Sequence, residues 1–164
     1  MTKPHQQVTY VYEESREDVY RYLLVLGLPP PQAQEAAQEA FLRLYITLER
    51  GEVIQNLRAW VFRVAHNHAM DVLAKERFKP LEPEMESMLR DGRPGAESDL
   101  IERQKMEIVA KAWVMLSRQQ KQCLHLRAEG LCYREIAETL QISISSVREF
   151  VSRAISRLQK AVFE

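Results

Sequence analysis

The segment from Leu131 to Leu158 gathers side chains suited to one kind of chemistry, the recognition of a polyanion. Its second half carries Ser145, Ser146, Arg148, Glu149, Ser152, Arg153 and Arg157. Guanidinium groups donate two parallel hydrogen bonds to a guanine edge or a phosphate, hydroxyls bond to phosphate oxygens, and a carboxylate accepts from a cytosine amino group. Arg148 and Glu149, near the start of the helix, are expected close to base edges, whereas Arg153 and Arg157 are expected to neutralise phosphates along the groove wall. Val147, Val151, Ile155 and Leu158 recur at helical spacing and are expected to secure the buried side. A solvated surface helix also alternates arginine, glutamate and serine. The preceding segment favours the DNA reading. Tyr133 to Leu140 reads as a short helix with Ile136, Ala137 and Leu140 facing a core, and Ser143 or Ser145 is placed to cap the next helix. A short helix, a tight connection and a longer basic helix make a helix-turn-helix.

Other groupings do not support chemistry. His5, His66, His68 and His125 form no metal motif with Cys123 and Cys132, because residues two apart, such as Cys123 and His125, point to different sides of a helix. His66-Asn67-His68 is no hydrolytic triad, since adjacent helix positions diverge and no nucleophile accompanies them. No glycine loop with a lysine follows a credible strand. The expectation is a protein without catalytic chemistry, metal or cofactor.

The elements that position these residues are all helical. The expected helices are Val8–Leu26, Gln32–Leu48, Leu57–Phe78, Asp99–Leu116, Arg118–Glu129, Tyr133–Leu140 and Ser145–Val162. Gly27-Leu28-Pro29-Pro30-Pro31 separates the first two. Ala33, Ala36, Ala37, Ala40, Phe41, Leu44 and Leu48 give the second helix a lean face for close packing, while Trp60, Val61, Val64, Ala65, Ala69, Val72 and Leu73 supply that of the third. Trp60 is expected in the core. Residues 79–95 hold three prolines and two glycines, and the stretch 79–102 is acidic, so a flexible acidic linker over residues 79–98 is expected between a domain at 1–78 and a domain at 99–164.

Charge follows the same division. The 164 residues balance 23 basic against 23 acidic groups, but residues 1–78 carry 9 and 10, residues 79–102 carry 3 and 7, and residues 103–164 carry 11 and 6. A locally basic end is compatible with nucleic acid despite zero net charge. At 46% hydrophobic residues, a wholly disordered chain is excluded. Two cysteines in helical sequence argue against a disulfide-stapled secreted domain, and no apolar run approaches the roughly 20 residues of a membrane span, so the cytoplasm is expected.

The passage Gly130-Leu-Cys-Tyr-Arg-Glu-Ile-Ala-Glu-Thr-Leu, with Ser143-Ile-Ser-Ser-Val and Ser152-Arg-Ala after it, resembles the C-terminal DNA-binding domain of bacterial sigma-70-family factors, particularly the two-domain extracytoplasmic-function group. Cys132 stands where that family often has Ser or Thr, and Gln141 where Gly is common. An independent resemblance lies in Gln38-Glu-Ala-Phe-Leu-Arg-Leu-Tyr followed by Leu57-Arg-Ala-Trp-Val-Phe-Arg-Val-Ala-His-Asn-His-Ala-Met-Asp. It implies a two-domain, all-α promoter-specificity subunit, with the C-terminal helix-turn-helix reading the minus-thirty-five element. By the same resemblance Gln38, Glu39 and Arg43 face a coiled coil of the polymerase β′ subunit, with Phe41 packing inward. Asn67 and Asp71 would engage the minus-ten element from one helix face, with Arg63 and Lys75 extending the polar strip. Few arginines follow Asp71, which leaves open a sigma-like DNA-binding regulator or an anti-sigma-binding decoy without initiation activity. The implied partners are core RNA polymerase through β′ and β, promoter DNA and an anti-sigma factor. A narrower resemblance, in Ile142-Ser-Ile-Ser-Ser-Val-Arg-Glu-Phe-Val-Ser-Arg-Ala, is to the iron-uptake branch, in which the signal is relayed by an inner-membrane regulator.

Overall fold

The computed structural model describes residues 3–76 and 100–163, which form two compact all-helical units. In the first, α1 spans Pro4–Leu26, α2 Pro30–Glu49 and α3 Leu57–Glu76. The sequence pattern places the start of α1 at Val8, but the helix begins at Pro4. A proline fits the first turn, where its missing N–H costs nothing and its φ is already helical. Gly27 ends the helix at φ 110°, while its N–H donates to the Leu24 carbonyl at 3.0 Å and the Leu28 N–H donates to the Leu23 carbonyl at 3.2 Å. Pro30 and Pro31 then occupy the first turn of α2. Asn56 caps α3, its Oδ1 accepting the Ala59 N–H at 3.1 Å.

All three helices pack against one another. The alanine face of α2 is buried with Phe41, Leu44 and Leu48, as expected, and meets Val19, Tyr22 and Leu23 of α1 in the core. The third helix departs from the expectation. Val61, Ala65 and Ala69 are buried, but Trp60 is only half-buried and Phe62 is fully enclosed in its place. Apolar residues surround α3, so spacing alone could not select its inner face. Phe62 wins that position by lying edge-on to Tyr22, with ring centroids 5.8 Å apart.

The second unit contains α4 (Leu100–Val114), α5 (Arg118–Ala128), α6 (Tyr133–Leu140) and α7 (Ile144–Phe163). Ser117 caps α5 reciprocally: Ser117 Oγ accepts the Gln120 N–H at 3.2 Å, and Gln120 Oε1 accepts the Ser117 N–H at 3.0 Å. Trp113, Cys123, Leu126, Leu131 and Ile136 build the core that receives α7. On α7 the buried residues are Val147, Val151 and Ala154. Ile155, expected inward, is 40% exposed, because Ala154 lies nearer the centre of the stripe set by Val147 and Val151.

No strand occurs among the described residues, and none of their helices is long and apolar enough to cross a membrane. The expected linker at 79–98 lies outside the described residues.

Candidate nucleic-acid interface

The connection between α6 and α7 sets how the second unit presents its basic helix. Cys132 stands before α6, and its N–H donates to Glu135 Oε1 at 2.8 Å, closing the first turn without a serine or threonine. Gln141 ends α6 in the left-handed region, at φ 56° and ψ 48°. It is the one described non-glycine residue with positive φ. The chain therefore turns where a glycine would do so without strain. Of the two candidate caps for α7, Ser143 takes the role: its Oγ accepts the Ser146 N–H at 3.1 Å. Ser143 Oγ also donates to Ser146 Oγ at 2.8 Å and lies 3.1 Å from Ser145 Oγ. Three hydroxyls are thus held together at the positive end of the α7 dipole, an arrangement suited to phosphate oxygens.

Ser145, Arg148, Glu149, Ser152, Arg153 and Arg157 are exposed and Ser146 is half-exposed; Ser145, Glu149, Ser152 and Arg153 lie on the side of α7 away from Val147, Val151 and Ala154, with Ser146, Arg148 and Arg157 on its flanks. They do not form one cluster. Arg153 Nη2 lies 2.6 Å from Glu149 Oε1, so each of these side chains has a neutralising partner one turn away. Arg148 is exposed and stands one turn from Ser145, beside the serine cluster. Arg157 lies roughly 16 Å along the axis from Ser146 at 1.5 Å per residue, with its guanidinium 3.5 Å from the Met115 carbonyl. The start of α7 and its middle could therefore address different parts of a duplex.

In the first unit, Asn67, Asp71 and Lys75 are exposed and Arg63 is half-exposed. Four-residue spacing aligns them on one face of α3, over roughly 18 Å. Trp60 is seven residues before Asn67 and eleven before Asp71, which brings the half-exposed indole to the same face. This heptad relation was available in the sequence, but the apolar neighbours of Trp60 masked it.

The opposite side of α3 is tied to α1 by polar contacts. Arg58 Nη1 donates to Ser15 Oγ at 2.8 Å and Nη2 to Asp18 Oδ2 at 3.0 Å, while the guanidinium covers the Phe62 ring at 5.2 Å. Two turns further on, Tyr22 Oη and His66 Nδ1 are hydrogen-bonded at 2.8 Å. Their partners are 40 to 44 residues apart in sequence, so spacing gave no sign of them.

On α2, Gln38 and Arg43 are exposed, Glu39 is half-exposed, and Arg43 Nε donates to Glu39 Oε1 at 3.1 Å. Gln38 borders a groove of about 240 Å³ between α1 and α2, where Arg16 lies 5.5 Å over the Tyr12 ring and Tyr12 meets Phe41 edge-on at 5.1 Å. Leu42, Tyr45 and Ile46 are exposed along the same helix side as Gln38. A hydrogen bond from Tyr45 to Glu49 pushes the Tyr45 phenol pKa up. An apolar strip with a polar margin fits a protein partner better than the three polar candidates alone.

Comparisons with known proteins follow this division. The family model "Sigma-70 region 2" matches residues 11–79, and "Sigma-70, region 4" matches residues 106–158. The ferric citrate uptake sigma factor FecI of Escherichia coli (strain K12) is 28% identical over 127 residues, covering 75% of this chain and 72% of FecI. The ECF RNA polymerase sigma factor SigM of Bacillus subtilis (strain 168) is 31% identical over 67 residues, covering 41% of this chain and 40% of SigM. In fold, the chain is similar to the sigma factor RpoE of Bartonella quintana, solved in complex with the anti-sigma factor NepR, with a TM-score of 0.60 and 21% identity over 96% of this chain and 94% of RpoE. The two family models fall one in each helical unit and together take in α2, α3 and the helix-turn-helix: the chain belongs to the sigma-70 family, within its extracytoplasmic-function group.

Proposed function

We propose that this chain directs core RNA polymerase to specific promoters and assists their opening, with 1–78 as the polymerase- and minus-ten-binding domain, 79–98 as linker and 99–164 as the minus-thirty-five-binding domain. The observation that carries the reading is the helix-turn-helix, whose α7 is anchored by Val147, Val151 and Ala154 and leaves Ser145, Ser146 and Arg148 outward at its start. In this reading those residues and Glu149 meet base edges and adjacent phosphates, while Ser152, Arg153 and Arg157 meet the backbone. Arg63, Asn67, Asp71 and Lys75 face the opening strand. Gln38, Glu39 and Arg43 face the β′ subunit.

The proposed partners are core polymerase, promoter DNA and an anti-sigma factor, the last supported by the complex in which the related RpoE fold was solved. The place of action is the cytoplasm. Control of iron-uptake genes is the finer proposal, supported by the similarity to FecI.

The test adds the purified chain to sigma-free core polymerase and measures both co-purification and RNA made from a library of host genomic fragments. Stable binding and new, reproducible starts are expected. Binding without new starts would favour a decoy. DNA binding without polymerase binding would favour a DNA-only regulator, the reading left open by the few basic residues after Asp71. Starts lying outside iron-acquisition genes would remove the iron proposal and leave the sigma function standing.

A further inference from the structure

We propose that Tyr22 and His66 are positioning residues for minus-ten recognition: their hydrogen bond, with the Arg58 tie two turns earlier, fixes the rotation of α3 and so the direction in which Asn67 and Asp71 point. This inference rests on the DNA-reading role proposed for α3. At roughly 100° per residue, Arg58, Phe62 and His66 occupy the inner side of α3, and Arg63, Asn67, Asp71 and Lys75 lie on the opposite side. Tyr22 is fully buried and His66 is 5% exposed, so their 2.8 Å bond is shielded from water. The rings also lie face to face, 29° from parallel with centroids 5.9 Å apart.

Packing leaves part of this rotation to the polar contacts. Phe62 is the one large apolar side chain on the inner face of α3, among Ala59, Val61, Ala65 and Ala69, and apolar side chains continue around the helix at Val64, Val72 and Leu73. Burial of such residues is non-directional, and a modest turn of the helix would exchange one apolar contact for another. Hydrogen bonds are directional. The ties run from Ser15 and Asp18 to Arg58, and from Tyr22 to His66, so α3 is held to α1 at two places along its length. Rotation of α3 would break both, and His66 is the immediate chain neighbour of Asn67, which makes the second tie the local one for the reading face.

The test compares wild type, Tyr22→Phe, His66→Phe and His66→Asn as full chains reconstituted with core polymerase. The readout is the ratio of holoenzyme affinity for a single-stranded oligonucleotide bearing the minus-ten sequence found by start mapping to its affinity for a scrambled one. A loss of folded protein lowers both affinities together and leaves the ratio unchanged. The expected result is a five- to tenfold drop in the ratio for Tyr22→Phe and His66→Phe, with core-polymerase affinity kept within twofold. His66→Asn, which restores a hydrogen-bonding atom near the position of Nδ1, is expected to recover most of the ratio. An unchanged ratio in both phenylalanine variants, or equal loss in His66→Phe and His66→Asn, would overturn the inference. A wild-type holoenzyme that does not discriminate between the oligonucleotides would instead refute the DNA-reading role of α3.

Discussion

Gln141 shows how a single residue can bear strain for the sake of a turn. Its left-handed backbone is a conformation that glycine adopts freely, so Gln141→Gly is expected to stabilise the second unit by about 0.5–1 kcal/mol, read from urea unfolding followed by Trp113 fluorescence in a Trp60→Phe background. The departure from glycine was visible in the sequence, but the φ that gives it an energetic meaning was not. Cys123 is a second case at this scale. Burial pushes its thiol from 9.0 to about 11, so the folded state favours the protonated form. Its contribution to stability is therefore complete below pH 9 and is lost as pH rises towards about 11. Thiol labelling of the folded chain at pH 8 is expected to modify exposed Cys132 and spare Cys123. Equal rates at both would contradict the packing of α5.

At the scale of elements, most helices were legible because their stop signals are strong. Tyr133–Leu140 stands as the pattern gives it, and Gly27 with the three prolines fixes the break between α1 and α2. What the pattern missed was the inner face of α3 and the pairing of α1 with α3. Trp60, Phe62 and His66 could each be given an apolar role by spacing, and only contacts with Tyr22, Ser15 and Asp18 decide among them. The α6–α7 pair depends on a fully buried Ile136. Ile136→Ala should cost about 2–5 kcal/mol in unfolding free energy and abolish duplex binding with every α7 side chain intact. Ser143→Ala should cost about 1 kcal/mol through the lost cap, with a smaller loss of duplex affinity. The two outcomes separate support of the reading helix from its preparation for phosphate.

For the whole molecule, the even count of 23 basic and 23 acidic groups conceals a basic C-terminal end. The division into two helical units and the helix-turn-helix pair at the C-terminal end were legible from motifs and charge. The apolar strip Leu42, Tyr45 and Ile46 was not, since an exposed apolar residue is distinguished from a core one only by the fold. In the proposed account, polymerase binding belongs to α2, strand capture to α3 and duplex reading to α7. Holoenzyme affinity for duplex promoter should therefore fall with salt, and Arg157→Ala should make the slope of log affinity against log salt shallower by about one without changing the preferred sequence.

The central claim is that the two units read separate promoter elements. The most direct measurement maps RNA starts from the genomic library with wild-type, Arg148→Ala and Asn67→Ala holoenzymes and compares the sequence motifs upstream of each. The account predicts that Arg148→Ala relaxes the minus-thirty-five motif while leaving the minus-ten motif sharp, and that Asn67→Ala does the reverse. Loss of both motifs together in either variant, or their persistence in both, would contradict it.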